Sequence, residues 1–297
     1  MDHDDRSDRM NKAMIAATLL LCGCTSASTL TLDTLDLPAS GPGSYALWLR
    51  DSGGDSLLLG TFADNEGGTF AVDDLSLWSE ALVTIEVGEP SEPGAEILVG
   101  PVTADGADLA FALDVDIAGG TSLWTPTDND VADDNHHQGA WFMERVNDTS
   151  QAGLTLSPPA PGWSYAGWTQ TQDWFLPMGT FSAPDAADSD CFFCGVDDLV
   201  PVPGEDFVAA VPAELPDAVN LADGASVIFV SLSPDAYDLS PDAYDLSPDA
   251  YDLTEGGPFR FGFDVLSVDV PAGQIGGELM DMASVLVAPS GGLSPPE

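Results

Sequence analysis

The chain of 297 residues carries 50 Asp and Glu against six Lys and Arg, a formal charge of −44. A field of that sign and size repels phosphate backbones and anionic headgroups, which excludes nucleic acid as a partner and charge-driven adhesion to a membrane. Hydrophobic residues nevertheless make up 44% of the chain, too many for a disordered acidic tail, and its length suits two ordinary domains.

At the N-terminus, Lys12 precedes an apolar run from Ala13 to Leu21, followed by Cys22, Gly23 and Cys24. Such a run is far short of the roughly 20 residues that a permanent span requires, and it reads as a signal peptide over 1–23. The first nine residues hold four Asp against two Arg, so Met10 is the more natural start of that signal. Leu21-Cys22-Gly23-Cys24 resembles the bacterial lipobox. The resemblance implies cleavage before Cys24, a diacylglycerol on its sulfur and a fatty acyl group on the new amino terminus. Each buried methylene adds about 0.8 kcal/mol, so several chains together anchor stably to a membrane. Thr25 stands where an Asp retains some lipoproteins at the inner membrane, which favours the outer one. Residues 24–29 then form a short tether.

Beyond the tether the chain is written twice. "PGSYALWLRDSGGDSLLLGTF" (42–62) matches "PGWSYAGWTQTQDWFLPMGTF" (161–181), so that Tyr45, Trp48 and Phe62 correspond to Tyr165, Trp168 and Phe181. Residues 81–94 match 225–238, and residues 107–120 match 259–273. Both copies consist of short alternating or continuous apolar runs bounded by Gly, Pro and Asp, the pattern of half-buried strands and tight turns. The predicted fold is all-β, two tandem antiparallel β-sandwich domains after a lipoprotein signal peptide. The first domain is placed at 30–120, an acidic linker at 121–152, the second domain at 153–289, and a disordered tail at 290–297. Residues three apart on a strand face opposite sides, so Tyr45 and Trp48 are expected on two faces of one sheet, as packing residues or, in the alternative, with one in a carbohydrate-stacking surface. The unit L-S-P-D-A-Y-D occurs three times without change from Leu232. Its regularly spaced prolines preclude a continuous helix or central strand, so 232–253 reads as a tolerated loop insertion.

Few constellations suggest chemistry. Asp128, Asp130, Asp133, His136 and His137 form the densest group of potential metal ligands, with oxygen donors suited to Ca²⁺ but without the EF-hand spacing. Cys191 and Cys194 remain as an even pair after Cys22 is removed and Cys24 lipidated. Export favours a disulfide between them, and free or metal-bound thiols are the alternatives. No nucleophile elbow, phosphate loop or dinucleotide fingerprint is present, and the expectation is a protein that is not an enzyme and needs no cofactor.

The two copies resemble the extracytoplasmic β-sandwich domain of anti-sigma-K-type factors. Tyr45-Ala46-Leu47-Trp48 with Gly60-Thr61-Phe62 carries the resemblance in the first copy. In the second it rests on Trp163, Tyr165, Trp168, Gly179-Thr180-Phe181 and "PGEDF" (203–207). "TPTD" (125–128) and "GAWFM" (139–143) look like that group's linker. The resemblance implies a binding or sensing module with an envelope protein as partner. At most 23 residues precede the lipidated Cys, so direct binding of a sigma factor is not expected. The other function in view is a structural envelope or surface-coat lipoprotein without a discrete ligand.

Overall fold

In the computed structural model, the structure describes residues 28–63, 67–125, 136–147, 149–172, 174–188, 201–207, 219–237 and 261–295. The chain is all-β as the turn-punctuated runs predict. Among the described residues the helical elements are three single 3₁₀ turns, Leu75–Leu77, His136–Gln138 and Leu221–Asp223. None of them is long and apolar enough to cross a membrane.

The first unit is one sheet of eight antiparallel strands folded over on itself. Its strands are β1 (Ser28–Leu35), β2 (Ser44–Arg50), β3 (Ser56–Phe62), β4 (Gly68–Val72), β5 (Glu80–Glu86), β6 (Ala95–Pro101), β7 (Ala107–Phe111) and β20 (Ser290–Ser294). The order is β3-β2-β5-β6-β7-β20-β1-β4. Tyr45, Leu47, Leu49, Val83, Ile85 and Ile97 of one half share a core with Leu30, Leu32, Phe70, Leu109 and Leu293 of the other. The expected disordered tail is therefore a strand, held between β1 and β7, with Leu293 opposite both Leu32 and Ala107. Its glycines and serines add almost no apolar area. It is held by backbone pairing on both sides, which leaves no mark on side-chain composition.

The second unit begins earlier than expected. β8 (Ile117–Leu123), β9 (Gly139–Trp141), β12 (Leu154–Leu156) and β15 (Gly204–Asp206) form one sheet in the order β12-β8-β9-β15, with β18 (Met280–Asp281) also on β8. β10 (Met143–Val146) and β11 (Thr149–Ala152) make a hairpin. The second sheet is β14-β13-β16-β17-β19, from β13 (Trp163–Gln170), β14 (Phe175–Phe181), β16 (Val227–Pro234), β17 (Phe263–Asp269) and β19 (Ala283–Ser284). The described residues of 121–152, namely 121–125, 136–147 and 149–152, are thus not a linker. They supply strands of the second unit, and Ala140, Trp141, Phe142 and Met143 are all buried.

The duplication appears as topology: β3-β2-β5-β6 and β14-β13-β16-β17 have the same strand order. One matched block is corrected. Residues 259–273 contain β17, which holds the place of β6 rather than that of β7 at 107–111. A further match escaped the sequence comparison. Asp74 and Asn220 each accept a bond from the backbone two residues on and open the 3₁₀ turns that lead into β5 and β16.

The units share one continuous core. Phe111 of the first meets Phe263 of the second edge-on at 5.5 Å, and Phe263 continues through Phe261 and Trp163. Trp163 Nε1 donates to the Glu96 carbonyl at 3.1 Å. Tyr237, 7% exposed, packs against Phe261 and donates its hydroxyl to the Ser40 carbonyl. This corrects the reading of 232–253 as an insertion for residues 232–237; the remainder of that range lies outside the described residues. The first L-S-P-D-A-Y-D unit completes β16 with Leu232, Ser233 and Pro234 and then docks its Tyr on the first domain. Pro234 is tolerated because it is the strand's last residue.

Candidate functional site

The paired aromatics are structural in both copies. Tyr45 and Tyr165 are buried, each stacked on the Phe opposite it in register, at 5.5 Å to Phe62 and 6.0 Å to Phe181. Each phenol ties down the chain upstream: Tyr45 donates to the Pro38 carbonyl at 2.6 Å and Tyr165 to that of Ser157 at 3.1 Å. Burial raises the Tyr165 pKa, and the Ser157 bond opposes the shift only in part.

Trp48 and Trp168 lie on the other faces of β2 and β13, as the strand period requires. Trp48 Nε1 donates to Thr84 Oγ1 and Trp168 Nε1 to Ser231 Oγ, both at 2.9 Å. These acceptors are equivalent, two residues past the partners Leu82 and Phe229. In the first copy the buried Glu86 carboxylate joins the pair, accepting from Trp48 Nε1 at 3.3 Å, from Thr84 Oγ1 and from the Gly94 amide at 2.8 Å. Both indoles are at most 2% exposed, so neither offers a stacking surface to a carbohydrate.

Three stretches singled out by their sequence converge. Gly139–Trp141 of "GAWFM" pairs on one side with Gly204–Asp206 of "PGEDF" and on the other with β8, which ends two residues before Thr125 of "TPTD". The Phe207 amide donates to the Gln138 carbonyl at 2.9 Å, and the Gln138 amide to Thr125 Oγ1 at 3.3 Å. Glu205 and Asp206 are buried here at 1% and 0% exposure. Nearby, the Arg145 guanidinium lies 3.7 Å from the centroid of Trp124, whose carbonyl accepts from Trp141 Nε1. Sequence reading did not foresee the buried carboxylates, because nothing in "PGEDF" distinguishes them from surface acids.

Cys24, Cys191, Cys194, Asp128, Asp130 and Asp133 lie outside the described residues. His136 and His137 open the 3₁₀ turn leading into β9. Among the described residues no three His, Cys, Asp or Glu side chains come close enough to hold a metal ion. A shallow groove of about 440 Å³ crosses β1, β20 and β7, where Asp33, Gly292 and Asp108 stand in one row beside Asp105. Its carboxylates repel an anionic guest.

No family profile, curated protein or solved structure matches this chain.

Proposed function

We propose that this chain is an extracytoplasmic lipoprotein, held to a bacterial membrane, the outer in preference to the inner, by acyl chains on Cys24. Its two sandwich units serve as a non-enzymatic binding or sensing module for an envelope protein, of the type found outside the membrane in anti-sigma factors. The observation that carries the anchor is the Leu21-Cys22-Gly23-Cys24 tetrad, only three residues ahead of β1. A tether that short holds the first unit close to the bilayer, with the rest of the molecule beyond it. A binding role is supported by where the polar chemistry goes. The hydroxyls of Tyr45 and Tyr165, the indole N–H groups of Trp48 and Trp168 and the Glu86 carboxylate are engaged in holding strands together, and Arg50 bridges Glu80 and Glu96. The anchor is tested by growing cells with labelled palmitate: the wild-type chain incorporates label and Cys24→Ala does not. Label persisting in that variant refutes the anchor.

A further inference from the structure

The duplication supplies an internal reference for every surface of the molecule, and one edge fails to match. β3 and β14 are the same strand in the two copies. Register equates Leu57 with Leu176, since they face Leu49 and Thr169. β14 is buried along nearly its whole length, and Leu176 is 0% exposed. Its flank is closed by the chain that follows: an added Cβ on Gly179 would lie 2.4 Å from Asp188 Oδ1, and Asp188 Oδ2 accepts from the Gly204 amide. Among the described residues β3 has no such cover and pairs with β2 alone, and Leu57, beside the core residue Leu49, is 41% exposed.

A second position departs in the same way. Leu77 in the Asp74-capped turn is 65% exposed, where the equivalent turn of the second copy carries Asp223. The Ser79 amide donates to the Arg50 carbonyl, and Arg50 lies opposite Ser56, so Leu77 and the start of β3 are at the same end of the sandwich. At the other end the sheet margins converge, with Phe62 and Phe70 at 6.3 Å. The seam between β3 and β4 is thus closed at Phe62 and uncovered at Leu57.

We infer that the β3 edge is a docking site for an extended segment of another protein, added as a strand beside Ser56–Phe62 with alternate apolar side chains over Leu57, at the end of the sandwich where Leu77 is also exposed. An open strand edge offers unpaired N–H and C=O groups in register, and strand addition satisfies them. Charge selects the guest. β3 itself bears no charge, but Asp51 and Asp55 precede it, and the copies repel one another at −44 each. A segment flanked by Lys or Arg is therefore preferred over a second copy.

This inference rests on the binding-module reading and is tested separately from the anchor. The probe is the labelled peptide Lys-Thr-Val-Thr-Val-Thr-Val-Thr-Lys, titrated against the full chain in mild detergent and followed by fluorescence anisotropy. Saturable binding is expected, with hydrogen-exchange protection over 56–62. Leu57→Asp weakens it about tenfold or more, as does replacing the terminal lysines by Asp, while Val146→Asp on the second unit has no effect. Absence of saturation up to about 1 mM overturns the inference, as does binding that survives Leu57→Asp. A concentration-dependent dimer abolished by Leu57→Asp overturns it too, by making a second copy the occupant. Peptide binding lost while palmitate label persists refutes the docking site alone, and the reverse refutes the anchor alone.

Discussion

The two copies agree in one half and diverge in the other. Both retain the four-strand sheet with its Tyr–Phe stack, its phenol bonded to the chain upstream and its indole bonded to a hydroxyl on the neighbouring strand. What covers that sheet differs. The first copy closes with the two ends of the described chain, β1 and β20, plus β4 and β7. The second closes with β8, β9, β12 and β15. Between the second and third shared strands the first copy has residues 63–79 and the second 182–226. A duplicated sheet fixes its hydrogen-bonding partners internally, whereas its apolar face accepts any chain that brings side chains of suitable volume. The divergent cover is where the copies acquire different surfaces.

The sharpest test of that equivalence removes the same residue from each copy. Trp168 stacks on Phe175 at 5.0 Å and 14° within the shared core, while Trp48 belongs to a smaller cluster with Ala46 and Leu82. Trp168→Ala is expected to cost about 3–5 kcal/mol and Trp48→Ala to fall at the lower end of that range. Because one core runs through both units, urea melts of either variant are expected to show a single transition shifted as a whole. Two separated transitions would mean that the units fold independently. Next in size is truncation after Pro289. Losing Leu293 and the pairing on both sides of β20 is expected to cost about 2–4 kcal/mol. Hydrogen exchange is expected to accelerate in β1 and β7 before β13 and β16.

The contrast between these regions also explains what the sequence could disclose. The shared sheet was legible because its strands are apolar on both faces and recur: Tyr45, Trp48, Tyr165 and Trp168 are buried as their spacing predicts. β20 was not legible, since a strand paired on both sides needs backbone groups and only Leu293 to fill the core, and "SGGLS" reads as tail. Within 121–152 the surrounding Asp and His obscured the strands, although four consecutive buried residues, Ala140 to Met143, were the signal. The candidate site was legible only as separate motifs. Their meeting across β8, β9 and β15 is a non-local pairing that no local pattern encodes.

A smaller effect compares two glycines at the same bulge. Gly179 has φ +85°, and a Cβ there would run into Asp188, whereas Gly60 would meet only the Phe70 ring at 3.0 Å. Gly179→Ala is expected to cost about 1–3 kcal/mol and Gly60→Ala about 1 kcal/mol or less, measured by thermal melts. Equal costs would show that the cover over β14 yields as readily as the open side of β3.

The smallest effects concern the repeat and separate its first unit from the other two. Tyr237→Phe removes one of the donors to the Ser40 carbonyl, which keeps its bond from the Gly43 amide, and is expected to cost about 1 kcal/mol or less. The phenols of Tyr237 and Tyr165 are both raised by burial, so they contribute stability below pH about 10 that is lost as pH climbs and the unfolded chain ionises first. The variant is expected to flatten that alkaline decline in part, with Tyr165 supplying the rest. Deleting 240–253 removes two units and, because the units are identical, produces the same protein whichever two are removed. The unit that follows Ser231 is then still the one that completes β16 and docks its Tyr. The β16–β17 connection falls from 28 residues to 14, and halving a loop is expected to stabilise by only about 0.6 kcal/mol. A melting temperature unchanged or slightly raised fits a single docked unit. A fall of many degrees would mean that the second and third units carry load of their own, and that the tyrosine contact is shared along the repeat.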